Sequence, residues 1–165
     1  MRTVQRTIHA TLALAVSALL AITLAACSKD PVLADLTALD NLGRSVFETQ
    51  AAEMSEFNKK VAAANSNAEK AALLNTMVAS LESRTKELAA FKAATPEVKK
   101  IADLLVGGLT QSIDGAREAS QAFEKGDQAA LSTAGEKMQA GQKSIREGQQ
   151  AFATLVREKG YKRGA

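Results

Sequence analysis

Histidine and tryptophan chemistry is almost missing from this chain: it has one histidine, His9, and no tryptophan. Cys27 is its only cysteine, and Pro31 and Pro96 are its only prolines. Aromatic residues make up 4% of the sequence, too few for interleaved base-stacking side chains. A single thiol forms no internal disulfide, so stability has to come from apolar packing. His9 lies in an N-terminal segment that reads as a cleaved signal, so the remaining chain has no histidine and, with Cys27 modified, no free thiol. This removes Ser-His-Asp and Cys-His nucleophiles, zinc sites built on those ligands and C-x-x-C-H haem attachment. Strand-type alternation of apolar and polar residues is absent as well.

What the chain does contain begins with an N-terminal segment in three parts. Arg2 and Arg6 are basic, residues 10–23 are almost all Ala, Leu, Val and Ile, and small residues precede Cys27. About 17 apolar-leaning residues fall short of the roughly 20 that span a bilayer as a helix. Leu24-Ala25-Ala26-Cys27 resembles the lipobox of bacterial lipoproteins. The resemblance implies cleavage between Ala26 and Cys27, with a covalent diacylglycerol and an N-acyl chain on Cys27. Two or more acyl chains anchor a protein stably where one is marginal. In the family's sorting rule, Asp after the cysteine retains a lipoprotein at the inner membrane, and here that residue is Ser28. The expected place is therefore the outer membrane, with the protein facing the periplasm.

Loss of residues 1–26 leaves 139 residues, one domain's worth. Arg2 and Arg6 leave with the signal, which brings the formal charge from +3 to +1. A near-neutral chain gives no support to nucleic-acid binding. The expected organisation is a signal at 1–26, a lipidated cysteine and tether at 27–30, a helical domain at 31–160 and a basic tail at 161–165.

Punctuation places four helices at about 31–64, 67–94, 96–125 and 127–159. Asp30-Pro31 and Thr95-Pro96 each pair a capping residue with proline at the first helical position. Ser66-Asn67-Ala68-Glu69 has capping-box spacing, Lys125-Gly126-Asp127 joins a glycine stop to a new cap, and Lys159-Gly160 ends the last helix. Asp40-Asn41-Leu42-Gly43 is a weak point in the first helix, where a separate turn is a competing reading. Apolar residues step by three and four along the last helix from Leu131 to Leu155, and along the third from Val98 to Phe123. Short connections force neighbouring helices to run antiparallel, so the expected fold is an all-α, up-down-up-down four-helix bundle.

Two features of the helices bear on function. Ala134, Gly141 and Gly148 share one face of the last helix and read as a close-packing seam, filled by residues such as Phe47, Phe57 or Phe91, or as a partner groove. Gln50, Arg84, Gln111 and Ser112 fall on otherwise apolar stripes and read as a polar layer. No pair of carboxylates falls on those stripes, so no catalytic residue, metal or cofactor is expected beyond the lipid on Cys27. Arg157, Lys159, Lys162 and Arg163, with Tyr161, read first as a frayed basic tail and, as the alternative, as a patch that meets anionic headgroups or peptidoglycan.

Residues 28–165 resemble the small alanine-rich helical lipoproteins of Gram-negative bacteria, a likeness of pattern that carries no functional residues. The leading expectation is a membrane-anchored, non-catalytic module that binds an envelope protein. The alternatives are an immunity or inhibitor lipoprotein acting on a periplasmic toxin or hydrolase, and a carrier of a small apolar ligand inside the bundle.

Overall fold

The computed structural model describes residues 30–47 and 50–162. The expected signal at 1–26, Cys27 and the tether before Asp30 lie outside the described residues. Five helices are described: α1 (Pro31–Phe47), α2 (Gln50–Ala63), α3 (Asn67–Ala90), α4 (Pro96–Lys125) and α5 (Gln128–Glu158). There is no strand among the described residues. The described residues are all-helical in their regular structure, and those from Val32 onward form one compact unit.

Boundaries follow local chemistry. Ser66 caps α3, its hydroxyl accepting from the Glu69 N–H at 3.1 Å, and the Glu69 carboxylate accepts from the Asn65 N–H at 2.6 Å. Gly126 ends α4 in the left-handed conformation (φ 67°), and the Asp127 carboxylate then accepts from the Ala130 N–H at 3.0 Å to start α5. Gly160 ends α5 the same way (φ 62°), and the Tyr161 N–H donates back to the Val156 carbonyl at 3.0 Å.

The first expected helix, 31–64, is described as two, α1 and α2, on either side of residues 48–49, which lie outside the described residues. The weak point at 40–43 is no break, because α1 runs through it to Phe47. Its Leu36 and Leu39 are buried below it and Val46 above, and this packing overrides the poor local propensity of Asp, Asn and Gly. The second predicted helix ends at Ala90 rather than 94. Pro96 biases the residue before it toward extended backbone, and Thr95 is extended (φ −107°, ψ 140°). Phe91 leaves the helix in the extended region too, and its half-buried ring packs against the core.

The core runs through α1, α3, α4 and α5. Leu36, Leu88, Leu109, Val46 and Val98 are its largest fully buried side chains. α4 and α5 touch over most of their length, with Gly108 against Gly141 and Gly115 against Ala134. Numbers rise on one helix as they fall on the other, so this pair runs antiparallel. α3 meets α4 likewise: the Ser120 hydroxyl donates to the Ala71 carbonyl at 3.2 Å, and Arg117 pairs with Glu82. By contrast, none of the described side chains of α2 is buried.

Candidate functional site

The predicted seam on α5 is closed by backbone-to-backbone contact with α4. A methyl group on Gly141 would lie 2.5 Å from the Ser112 Oγ and 2.6 Å from the Gly108 carbonyl oxygen. One on Gly108 would lie 2.6 Å from the Gly141 carbonyl oxygen, and one on Gly148 2.9 Å from Leu105 Cδ2. Ala134 is fully buried. Small residues facing each other let two backbones meet, and the facing elements are α4 backbone, Ser112 and Leu105 rather than phenylalanine rings. At Gly108, Gly115, Gly141 and Gly148 the two helices leave no room even for a methyl group.

The four residues of the proposed polar layer have separate surroundings. Ser112 is half-buried and its hydroxyl donates to the Gly108 carbonyl of its own helix at 2.9 Å. Gln111, one position earlier, is exposed, because the buried face of α4 runs through Gly108, Leu109, Ile113 and Ala116. Arg84 leaves α3 toward α1 and α2: it donates to the Val46 carbonyl at 3.3 Å and pairs with Glu53. The side chain of Gln50 lies outside the described residues.

Two buried carboxylates hold α1 in place, and periodicity hides both because each falls beside the leucine stripe. Asp35 Oδ2 accepts from the Thr95 N–H at 2.7 Å and from the Thr95 hydroxyl at 2.6 Å. Burial pushes its carboxyl up, but the bond from the Thr95 hydroxyl and backbone bonds from Ala94 and Thr95 outweigh this, leaving it below its ordinary value. Asp40 Oδ2 accepts from Arg44 at 3.0 Å and from the Tyr161 hydroxyl at 3.4 Å. Tyr161 is half-buried against the core, so the expected tail at 161–165 begins with an anchored residue. Thr95 is the N-cap of α4, but its hydroxyl caps nothing on its own helix and bonds Asp35 instead.

One open feature is a cleft of about 480 Å³ between α2 and α3. Met54, Phe57, Leu73, Met77 and Leu81 supply its apolar lining. Glu53, Glu56, Lys60 and Arg84 stand at its rim, with Glu53 and Arg84 joined across it. α2 leans on α3 through half-buried Met54, Phe57 and Val61 and through the Glu53–Arg84 pair. A 14-residue helix is marginal in water unless packing supports it. Methionine side chains are unbranched and polarisable and adapt to irregular apolar surfaces. A second, wider groove between α1 and α5 is lined by Leu39, Phe47, Phe152 and Val156, with Arg44 and Arg157 at its edge.

Among the described residues, no group of three or more His, Cys, Asp or Glu side chains could hold a metal ion. No described helix is long and apolar enough to cross a membrane. A family model described as uncharacterised lipoprotein PM1805 matches residues 33–158. No curated protein and no solved structure matches the chain.

Proposed function

Because the chain belongs to the uncharacterised lipoprotein PM1805 family, we propose that it is a lipid-anchored, non-catalytic module that binds another envelope protein. In this reading residues 1–26 are removed, Cys27 carries the diacylglycerol and N-acyl chains, and Ser28 directs the protein to the periplasmic face of the outer membrane. The helices form an up-down-up-down bundle in which α1 and α2 together take the place of the first helix.

The observation that carries the binding role is the cleft between α2 and α3. It joins an apolar, methionine-containing lining to a rim of both charges, over a helix with little burial of its own. The partner it fits is an amphipathic helix whose apolar side chains enter between Met54, Phe57 and Met77. Helix-in-groove recognition uses this kind of surface. The carrier alternative has no comparable support, since the face of Gly141 and Gly148 is filled by α4.

Capture of the tagged, full-length protein from crosslinked envelopes tests the reading. Wild type recovers the same partner reproducibly, and Met77→Glu loses it while keeping its helical content and membrane fractionation. Equal recovery by Met77→Glu, or no reproducible partner for wild type, contradicts it.

A further inference from the structure

The two bonds that hold α1 also decide which parts of the chain share an end of the domain. Asp35 lies one turn into α1 and binds Thr95, so the α3–α4 connection sits beside the start of α1. Tyr161 binds Asp40, which brings the chain after α5 to the same region. Three residues separate Cys27 from Pro31. At no more than about 3.6 Å per residue, that tether holds the start of α1 within roughly 15 Å of an acylated Cys27.

The charges at this end are unbalanced. Residues 90–103 and 157–162, with Asp30, carry six cations and four carboxylates. All six cations are exposed: Lys92, Lys99, Lys100, Arg157, Lys159 and Lys162. Lys99 is paired with Asp103. Asp35 adds a fifth carboxylate, buried against Thr95, which leaves one cation in excess at this end. At the opposite end, residues 60–71 and 122–130 carry three cations, Lys60, Lys70 and Lys125, against Glu69, Glu124 and Asp127. The overall charge is near neutral, yet the excess of cations lies where the tether leaves.

We infer that the end formed by the start of α1, the α3–α4 connection and the chain after α5 docks on anionic phospholipid headgroups. The inference rests on acylation of Cys27, which brings that end to the bilayer. Docking holds the domain upright and turns the α2–α3 cleft, beside residues 52–60 and 73–84, away from the lipid. Each cation at an anionic surface shifts the docked-to-undocked ratio roughly fivefold, within a Debye length of about 8 Å at physiological salt.

The test uses the full chain, acylated and reconstituted into vesicles that carry a headgroup quencher. One series contains phosphatidylglycerol and the other phosphatidylcholine alone. A fluorophore is placed at Ala94→Cys in the α3–α4 connection or at Ala129→Cys at the other end, both exposed positions. The Ala94 probe is expected to be quenched more strongly on phosphatidylglycerol vesicles, and the difference to disappear in high salt. Lys92→Gln/Lys100→Gln/Lys162→Gln, three exposed replacements, removes the difference with an unchanged melting curve. The Ala129 probe reports the same weak quenching on both vesicles. Equal quenching of the Ala94 probe on both lipids, or an unaffected triple variant, overturns the docking while vesicle association still upholds the anchor. Protein that associates with neither vesicle overturns anchor and docking together. Retention by isolated peptidoglycan with no dependence on lipid charge overturns it in favour of the cell wall.

Discussion

The Asp35 carboxylate takes two hydrogen bonds from Thr95, at 2.7 Å from its N–H and 2.6 Å from its hydroxyl, across 60 residues of sequence. Thr95 is the N-cap of α4 and makes no side-chain cap of its own. The buried carboxylate therefore sits at the positive end of α4 while it holds the first turn of α1. A carboxylate is favoured at a helix N-terminus by the orientation of the peptide dipoles.

Asp35→Ala is expected to destabilise the domain by about 1–3 kcal/mol, the range for losing charge-assisted hydrogen bonds and leaving buried donors unmatched. Urea unfolding at neutral pH reads this as a lower midpoint with an unchanged slope.

The same carboxylate gives the protein a share of its acid sensitivity. Its folded-state pKa lies below its ordinary value of 3.8. The stabilisation is therefore complete above that ordinary value and is lost as pH falls through the lower folded-state value. Melting temperature followed against pH is expected to fall more steeply below about pH 4 in wild type than in Asp35→Asn.

Gly141 and Gly135 lie on the same helix in opposite situations. A methyl group at Gly141 meets Ser112 and the Gly108 carbonyl, whereas one at Gly135 meets nothing within 4 Å. Gly141→Ala is expected to cost about 1–3 kcal/mol by forcing α4 and α5 apart. Gly135→Ala is expected to stabilise by up to about 1 kcal/mol through helix propensity alone. Paired thermal melts separate the two.

α2 is expected to be the least protected helix in amide hydrogen exchange, since none of its described side chains is buried. α4, with twelve buried residues, is expected to be the most protected. Protection in α2 equal to that in α4 contradicts the loose packing inferred beneath it.

The stripes from Val98 to Phe123 and from Leu131 to Leu155 were legible because every third or fourth residue packs on the same neighbour. All their members are buried or half-buried. The caps at Ser66 and Asp127 and the stop at Gly126 were legible for the same reason: their partners lie three to five residues away. Asp35 and Asp40 were not, because their partners Thr95 and Tyr161 are supplied by the fold across 60 and 121 residues. Spacing alone does not separate Gln111 from Ser112, one step away on the same helix. The cleft is not legible in the sequence, because Met54, Phe57 and Met77 satisfy helical periodicity whether the space between their helices is closed or open.

Site-specific photocrosslinking in living cells, from a photoreactive residue at Met77, tests the binding role most directly. Gln111, exposed and outside the cleft, is the control position. The expected result is one reproducible adduct with an envelope protein from Met77 and none from Gln111. No adduct from Met77, or the same adducts from both positions, contradicts it.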